Sequence, residues 1–258
     1  MKTLFSIITP THKRKDGLVR AIDSVLAQTY SNWEMIIVND SPHDEAYFSL
    51  SINDARIKYF VNEKNMGVNY SRDRALKNLS QESTFVIFLD DDDYLAPDTL
   101  SIFLRYSQQN PFHTWFMSNR ALPHGESLTV TPSGEGEYSY MLDYLITKKI
   151  KGDATHCIKT SLIESEGVTF LRQVKQGEEW FFYYQISLHS KIIYIDHNST
   201  ISGGYEVGGL NFRTRTLKEY YVSLLRIFYE TVNKKKVSFL LLLYITLRIL
   251  KPLYQLFK

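Results

Sequence analysis

Thr84-Phe85-Val86-Ile87-Phe88-Leu89-Asp90-Asp91-Asp92-Asp93-Tyr94 is the stretch whose reading decides the fold. Its first six residues are apolar or β-branched and do not alternate with polar ones. Such a run reads as a strand buried on both faces, the kind found in parallel sheets covered by helices. It runs straight into four consecutive carboxylates. Like charges at that spacing raise one another's pKa unless a cation sits among them. A solvated surface run therefore explains the cluster poorly at the end of a buried strand, although a charged turn leading to a helix near Pro97 is the plain alternative. Ligands of open α/β sheets collect at the carboxyl ends of the strands, where these aspartates fall.

Upstream, residues 4–9, 34–39 and 57–61 are three more short runs of the same character. Between them Leu18, Ile22, Val25 and Leu26 fall on one helical stripe, and residues 68–79 read as a second helix entered through Asn65 and Gly67. Strand alternating with helix predicts an α/β fold with right-handed crossovers, a Rossmann-like, mostly parallel central sheet flanked by helices. Downstream of residue 110 the pattern loosens, punctuated by Pro111, Pro123, Gly125, Pro132, Gly134 and Gly136. Helical signal returns at 138–147, at 178–190 and from Leu217 onward. The expected organisation is a body over 1–210, split into a nucleotide-binding half (1–110) and an acceptor-binding half (111–210), and a helical tail over 211–258.

All-oxygen ligands without accompanying His or Cys suit Mg2+ or Mn2+, which keep waters and take substrate phosphates as their remaining ligands. The cluster thus implies a phosphate-bearing substrate. No Gly-rich loop ending in Lys-Ser/Thr is present and no G-x-G-x-x-G follows the first run, which disfavours P-loop ATPases, kinases and dehydrogenases of the usual type. The single cysteine, Cys157, cannot pair within the chain, and beside His156 it lacks the further ligands a zinc site needs. A reducing compartment is the better expectation.

Taken in order, these residues resemble the family 2 glycosyltransferases of the GT-A fold. Phe5-Ser6-Ile7-Ile8-Thr9-Pro10-Thr11 with Arg14 is similar to the family's opening strand and loop, and Ser24-Val25-Leu26-Ala27-Gln28-Thr29-Tyr30 to its next conserved segment. Ile36-Ile37-Val38-Asn39-Asp40-Ser41 matches its Val-Val-Asp-Asp-Gly-Ser, with Asn39 where Asp is usual. Asn65, Gly67 and Arg72 fit its Asn-x-Gly and Ala-Arg-Asn pattern, and Asp90 to Asp93 its Asp-x-Asp motif. The resemblance implies that Thr9, Thr11 and Asp40 hold the nucleobase and ribose with Arg14 and Arg72 nearby. Asp90 or Asp91 then reaches the ribose, and Asp92, with Asp90, ligates a divalent cation, Mn2+ or Mg2+, on the diphosphate. The family's catalytic base sits in a Glu-Asp pair before an aromatic residue; here that segment is Gly177-Glu178-Glu179-Trp180. Glu179 occupies the base position, Glu178 is its reserve, and the extra methylene of Glu displaces the carboxylate by roughly 1 Å, enough to matter for a positioned group. His156, Trp180, Arg213 and Arg215 are candidate acceptor or diphosphate contacts. Core packing is the plainer account of Trp180.

The charge balance completes the reading. The 258 residues carry 30 Lys plus Arg against 28 Asp plus Glu. Residues 211–258 hold ten basic and two acidic side chains, 10 − 2 = +8, so the first 210 carry 20 − 26 = −6. Tyr244, Arg248, Lys251, Gln255 and Lys258 draw one polar stripe along an otherwise apolar helix, kinked at Pro252. Eleven uncharged residues, 237–247, are too few to cross a bilayer, which takes ~20. The tail reads as amphipathic helices lying in a membrane interface, with a helix pair completing the fold or a dimer contact as the alternative. Nucleic acid is disfavoured because the aliphatic surface exceeds what phosphate binding requires.

The expected activity is an inverting, metal-dependent transfer of a sugar from a nucleoside-diphosphate sugar, UDP-sugar favoured, to a hydroxyl of a lipid-linked saccharide in bacterial surface-polysaccharide synthesis. The expected place is the cytoplasmic face of the inner membrane, without a signal peptide. Two other classes stay open: an Asp-x-Asp phosphohydrolase, and a non-catalytic nucleotide-sugar-binding protein.

Overall fold

The computed structural model describes residues 2–131, 134–203, 216–233 and 237–256, with side chains up to Leu250. Strands β1 (Leu4–Thr11), β2 (Trp33–Asn39), β3 (Ile57–Val61) and β4 (Ser83–Phe88) pair in parallel in the order β3-β2-β1-β4. β2 is buried throughout and β1 nearly so, as unbroken apolar runs require. Helices α1 (Lys15–Leu26) and α2 (Val68–Leu76) supply the crossovers. α1 buries Leu18, Ile22 and Val25 of the expected stripe together with Ala21, while Leu26, expected on the same stripe, is 43% exposed at the helix end. α2 stops three residues short of the expected end.

The loosely patterned stretch after residue 110 contributes most of the remaining sheet. After β5 (Asp93–Leu95) and α3 (Thr99–Gln109) come β6 (Trp115–Ala121), β7 (Gly136–Tyr138), a π-helical turn over Tyr140–Ile146, β8 (Ala154–Lys159), α4 (Thr160–Ser165), α5 (Trp180–Ser187) and β9 (Ile192–Ser202). The sheet continues β4-β8-β6-β9-β5, with β7 on β9. β8 runs antiparallel to both β4 and β6, and β6 is parallel to β9, so the sheet is parallel at one side and mixed at the other. These strands bury polar side chains that satisfy one another: Thr155 Oγ1 donates to Thr200 Oγ1 at 2.7 Å, and the Tyr194 hydroxyl donates to Asn119.

Alternate strand residues feed two cores on opposite faces. Phe5, Ile7, Met35, Ile37, Phe85 and Ile87 pack with α1 and α3; Ile8, Ile36, Val38, Val86, Trp115 and Ile158 pack with α5. The second core also receives Leu224 and Ile227 of α6 (Leu217–Asn233) and Leu241 and Ile245 of α7 (Phe239–Leu256). Each such side chain contributes ~1.5–3 kcal/mol on burial, so the C-terminal helices are bound to the body by their inner faces. Among the described residues no helix is long and apolar enough to cross a membrane.

Candidate active site

The acidic stretch follows β4 as a tight turn at the carboxyl end of the sheet, with the Asp93 N–H donating to the Asp90 carbonyl at 3.1 Å. Its backbone is wedged between two glycines. The Gly203 N–H donates to the Asp92 carbonyl at 2.9 Å. A Cβ at Gly203 would lie 2.0 Å from that oxygen, and one at Gly17 in α1 would lie 2.4 Å from the Asp91 carbonyl. Only glycine permits an approach this close.

The turn sorts its four carboxylates. Asp90, Asp92 and Asp93 place one oxygen each within 4.8 Å of one another. Asp91 points elsewhere and accepts from the Thr11 hydroxyl at 2.8 Å, the His12 N–H at 3.2 Å and Arg14 at 3.1 Å. Burial pushes Asp91 up to about 6, against the pull of Arg14. Burial likewise raises Asp92, aided by the neighbouring Asp90 charge, and pushes Asp93 up to about 7 despite Arg120. Asp90 goes the other way: burial opposes its charge, but Arg72 at 2.6 Å brings it below the usual range.

Three arginines brace the cluster. Arg14, between β1 and α1, spans Asp91 and Asp92, the latter at 2.7 Å. Arg72 of α2 joins Asp90 to Glu179 at 3.3 Å. Arg120 of β6 joins Asp93 at 2.7 Å to Asp153 at 3.0 Å. Asp93 and Arg120 are additions to the residues expected from the sequence. Asp93 stood in the acidic run unassigned; Arg120 lies in a motif-free stretch and only the β6–β9 pairing brings it here.

Of the other expected nucleotide contacts, Thr11 hydrogen-bonds the Tyr47 hydroxyl as well as Asp91. Thr9 is fully buried, and its hydroxyl has no hydrogen-bond partner among the described residues. Asp40 accepts from Asn62 Nδ2 and from the Met66 and Gly67 N–H groups, each at 2.7 Å, and so fixes the turn that starts α2.

The two glutamates diverge. Glu179 stands at the residue before α5 without a capping side-chain hydrogen bond, is partly exposed, and faces Arg72 and through it Asp90. Glu178 turns the opposite way: its side chain is fully buried, 2.6 Å from Arg248 of α7, and accepts from Ser223 of α6 and from the Trp180 indole. Trp180 packs edge-on against Tyr244 and beneath the Arg248 guanidinium. His156 is buried among Trp115, Tyr140 and Tyr183, and its Nδ1 accepts from the Trp115 indole at 3.1 Å. Arg213 and Arg215 lie outside the described residues.

The profile of "Glycosyl transferase family 2" matches residues 6–165, which takes in the acidic turn and the strands around it. The chain belongs to glycosyl transferase family 2. As a family 2 glycosyltransferase it is 33% identical over 214 residues to the putative colanic acid biosynthesis glycosyl transferase WcaA of Escherichia coli K12, covering 75% of this chain and 73% of WcaA. It is 38% identical over 100 residues to the E. coli UDP-Glc:alpha-D-GlcNAc-diphosphoundecaprenol beta-1,3-glucosyltransferase WfgD, covering 38% of this chain and 39% of that one. The glycosyltransferase fold also superposes on Staphylococcus aureus TarS 1-349 in complex with UDP-GlcNAc, with a TM-score of 0.71 and 20% identity over 89% of this chain and 66% of the other. That likeness supports the GT-A assignment for this glycosyltransferase.

Proposed function

We propose that this glycosyltransferase moves a sugar, with inversion, from a UDP-sugar to a hydroxyl of a lipid-linked saccharide at a membrane surface, as a step in surface-polysaccharide synthesis. The observation that carries the reading is the carboxylate group of Asp90, Asp92 and Asp93 standing one arginine away from Glu179. The donor class is favoured by the UDP-Glc in the name of WfgD and the UDP-GlcNAc bound to TarS, and the acceptor class by the diphosphoundecaprenol in the name of WfgD.

The donor set fits a hard divalent cation. Three carboxylates converge, two of them raised by burial and mutual repulsion, and a cation relieves both. Asp92 and Asp90, with Asp93, would hold Mg2+ or Mn2+, whose contribution when bound is Lewis-acid stabilisation of the departing diphosphate. The chain's own groups do the rest. Thr11, Arg14, Asp40 and Asp91 shape the nucleotide side, Arg72 holds Glu179 against the acidic turn, and Glu179 accepts the proton of the acceptor hydroxyl. Inversion needs only that one base on the face opposite the leaving group.

Membrane contact is favoured by the outer faces of the C-terminal helices. Leu225 and Phe228 of α6 and Phe239, Leu247 and Leu250 of α7 are 44–77% exposed, and the tail that carries them has the +8 charge counted above. Such a surface suits an anionic lipid interface.

A panel of UDP-, GDP- and dTDP-sugars, scored for nucleotide release with and without Mn2+, tests the reading. Release confined to UDP-sugars and abolished by chelation is expected; equal release of phosphate from generic phosphoesters would instead favour the phosphohydrolase.

A further inference from the structure

Glu178 and its neighbours form an internal ion pair of unusual placement. Its carboxylate has no solvent exposure, accepts from Arg248 Nη1 at 2.6 Å and Nη2 at 3.4 Å, and takes the Ser223 hydroxyl at 3.0 Å. Arg248 is itself enclosed by rings, its guanidinium 5.3 Å from the Trp180 ring centroid, 5.0 Å from that of Tyr220 and 5.8 Å from that of Tyr244. Breaking a buried pair by removing one partner strands a charge and costs more than the pair ever contributed. This pair stands immediately before the residue read as the base.

The backbone there is held under strain. Gly177 has φ +75° and Glu178 has φ +66°, a left-handed conformation that a β-carbon opposes. Such a residue persists only where its surroundings over-determine it. Two anchors do so. On the nucleotide side, the Asn69 amide of α2 donates to the carbonyls of Val174 at 2.9 Å and Gly177 at 3.0 Å. On the other side stands Arg248. With Glu178 pinned inward, the peptide that follows turns Glu179 outward to Arg72 and Asp90. A continuous chain thus runs Arg248, Glu178, Glu179, Arg72, Asp90.

We infer that Arg248 is a positioning residue for the transfer reaction: from the C-terminal helix it fixes, through Glu178, the direction in which Glu179 is presented. Its role runs through Glu178 and the backbone that follows, not through the reacting atoms. The inference rests on Glu179 being the base, and the experiment keeps the two separate. Full-length wild type, Arg248→Met, Arg248→Lys, Glu179→Gln and the Arg248→Met/Glu179→Gln double variant are compared in Mn2+ for nucleotide release with water as acceptor. The donor is the nucleotide sugar giving the highest rate in a panel that includes UDP-glucose and UDP-GlcNAc, and binding of its nucleoside diphosphate is measured alongside.

Expected for Arg248→Met is a kcat at least ~10-fold lower with diphosphate affinity within about twofold of wild type, partial recovery in Arg248→Lys, and no further loss when the change is added to Glu179→Gln. Wild-type kcat in Arg248→Met beside an impaired Glu179→Gln overturns the positioning role alone. A loss that is fully additive with Glu179→Gln, or equally large in diphosphate affinity, also overturns it, because a merely structural role acts on everything at once. Wild-type kcat in Glu179→Gln overturns the base assignment and the inference built on it.

Discussion

Asp92 and Glu179 reach the same place from opposite directions, one from a turn after β4 and the other from the cap of α5, with Arg72 and Asp90 between them. Asp92→Asn removes the negative charge that side chain offers a cation, and Glu179→Gln removes the proton acceptor. Each should lower kcat at least ~100-fold, with thermal unfolding unchanged within a few degrees; near-wild-type turnover in either would remove the mechanism. A separate residue-level prediction concerns His156. Its Nδ1 must lack a proton to accept from Trp115, and burial holds its pKa at about 3, against 6.5 for an exposed imidazole. The folded pKa is depressed, so the unfolded chain takes the proton first. Stability present above pH 6.5 is therefore lost progressively toward pH 3, by about 2 kcal/mol at pH 5. Denaturation midpoints at pH 7 and 5 measure this as a difference between proteins: wild type should lose about 2 kcal/mol more than His156→Gln, because Asp91 and Asp93, raised to about 6 and about 7, shift stability in the opposite sense in both; an equal slope in the variant would rule His156 out as its source. The acidic turn was legible in the sequence because its carboxylates are contiguous. Arg120 as the partner of Asp93, and the opposed directions of Glu178 and Glu179, were not, since each is set by a contact between residues far apart in the chain.

At the scale of elements, the first four strands read directly as apolar runs, whereas β6, β8 and β9 did not. Their segments Trp115–Ala121, Ala154–Lys159 and Ile192–Ser202 carry Ser118, Asn119, Thr155, His156, Ser199 and Thr200 on buried positions. Several of them pair across strands, Thr155 with Thr200, Asn119 with Tyr194 and His156 with Trp115, which no hydropathy pattern announces; the Ser118 hydroxyl has no partner among the described residues. The sequence reads the C-terminal helix as lying in a membrane interface, with a helix pair completing the fold as one alternative, and leaves open which way its polar stripe faces. The structure turns the described part of that stripe inward: Tyr244 packs on Trp180 and Arg248 pairs with Glu178, leaving Leu242, Leu243, Leu247, Ile249 and Leu250 at the surface. The helix is therefore polar at the seam and apolar outside, an arrangement water alone does not favour. Leu225→Gln, Phe239→Gln and Leu247→Gln together touch only exposed positions. They should leave unfolding midpoints within about 1 kcal/mol of wild type while reducing sedimentation with phosphatidylglycerol vesicles at least tenfold. Unchanged vesicle binding would remove these faces as the contact.

The molecule as a whole separates charge along its length, −6 over residues 1–210 and +8 over 211–258. Part of the negative surplus is the acidic turn, neutralised locally by Arg14, Arg72 and Arg120. Of the positive surplus, Arg248 is spent inside the fold, while Lys218 and Arg226 stand exposed on α6 beside its apolar face. An anionic surface should therefore attract the tail and repel the body, which orients the molecule rather than merely holding it. Each basic side chain near such a surface contributes ~1 kcal/mol, so engaging three gives roughly a hundredfold in affinity. That share is screened when the Debye length falls from ~10 Å at 0.1 M salt to ~3 Å at 1 M, and the apolar share is not. Partitioning onto phosphatidylglycerol vesicles should thus weaken at least tenfold in 1 M NaCl, down to the level seen with phosphatidylcholine at any salt. Equal binding to both lipids at low salt would show that the basic tail takes no part, leaving the apolar faces to account for all of the attachment.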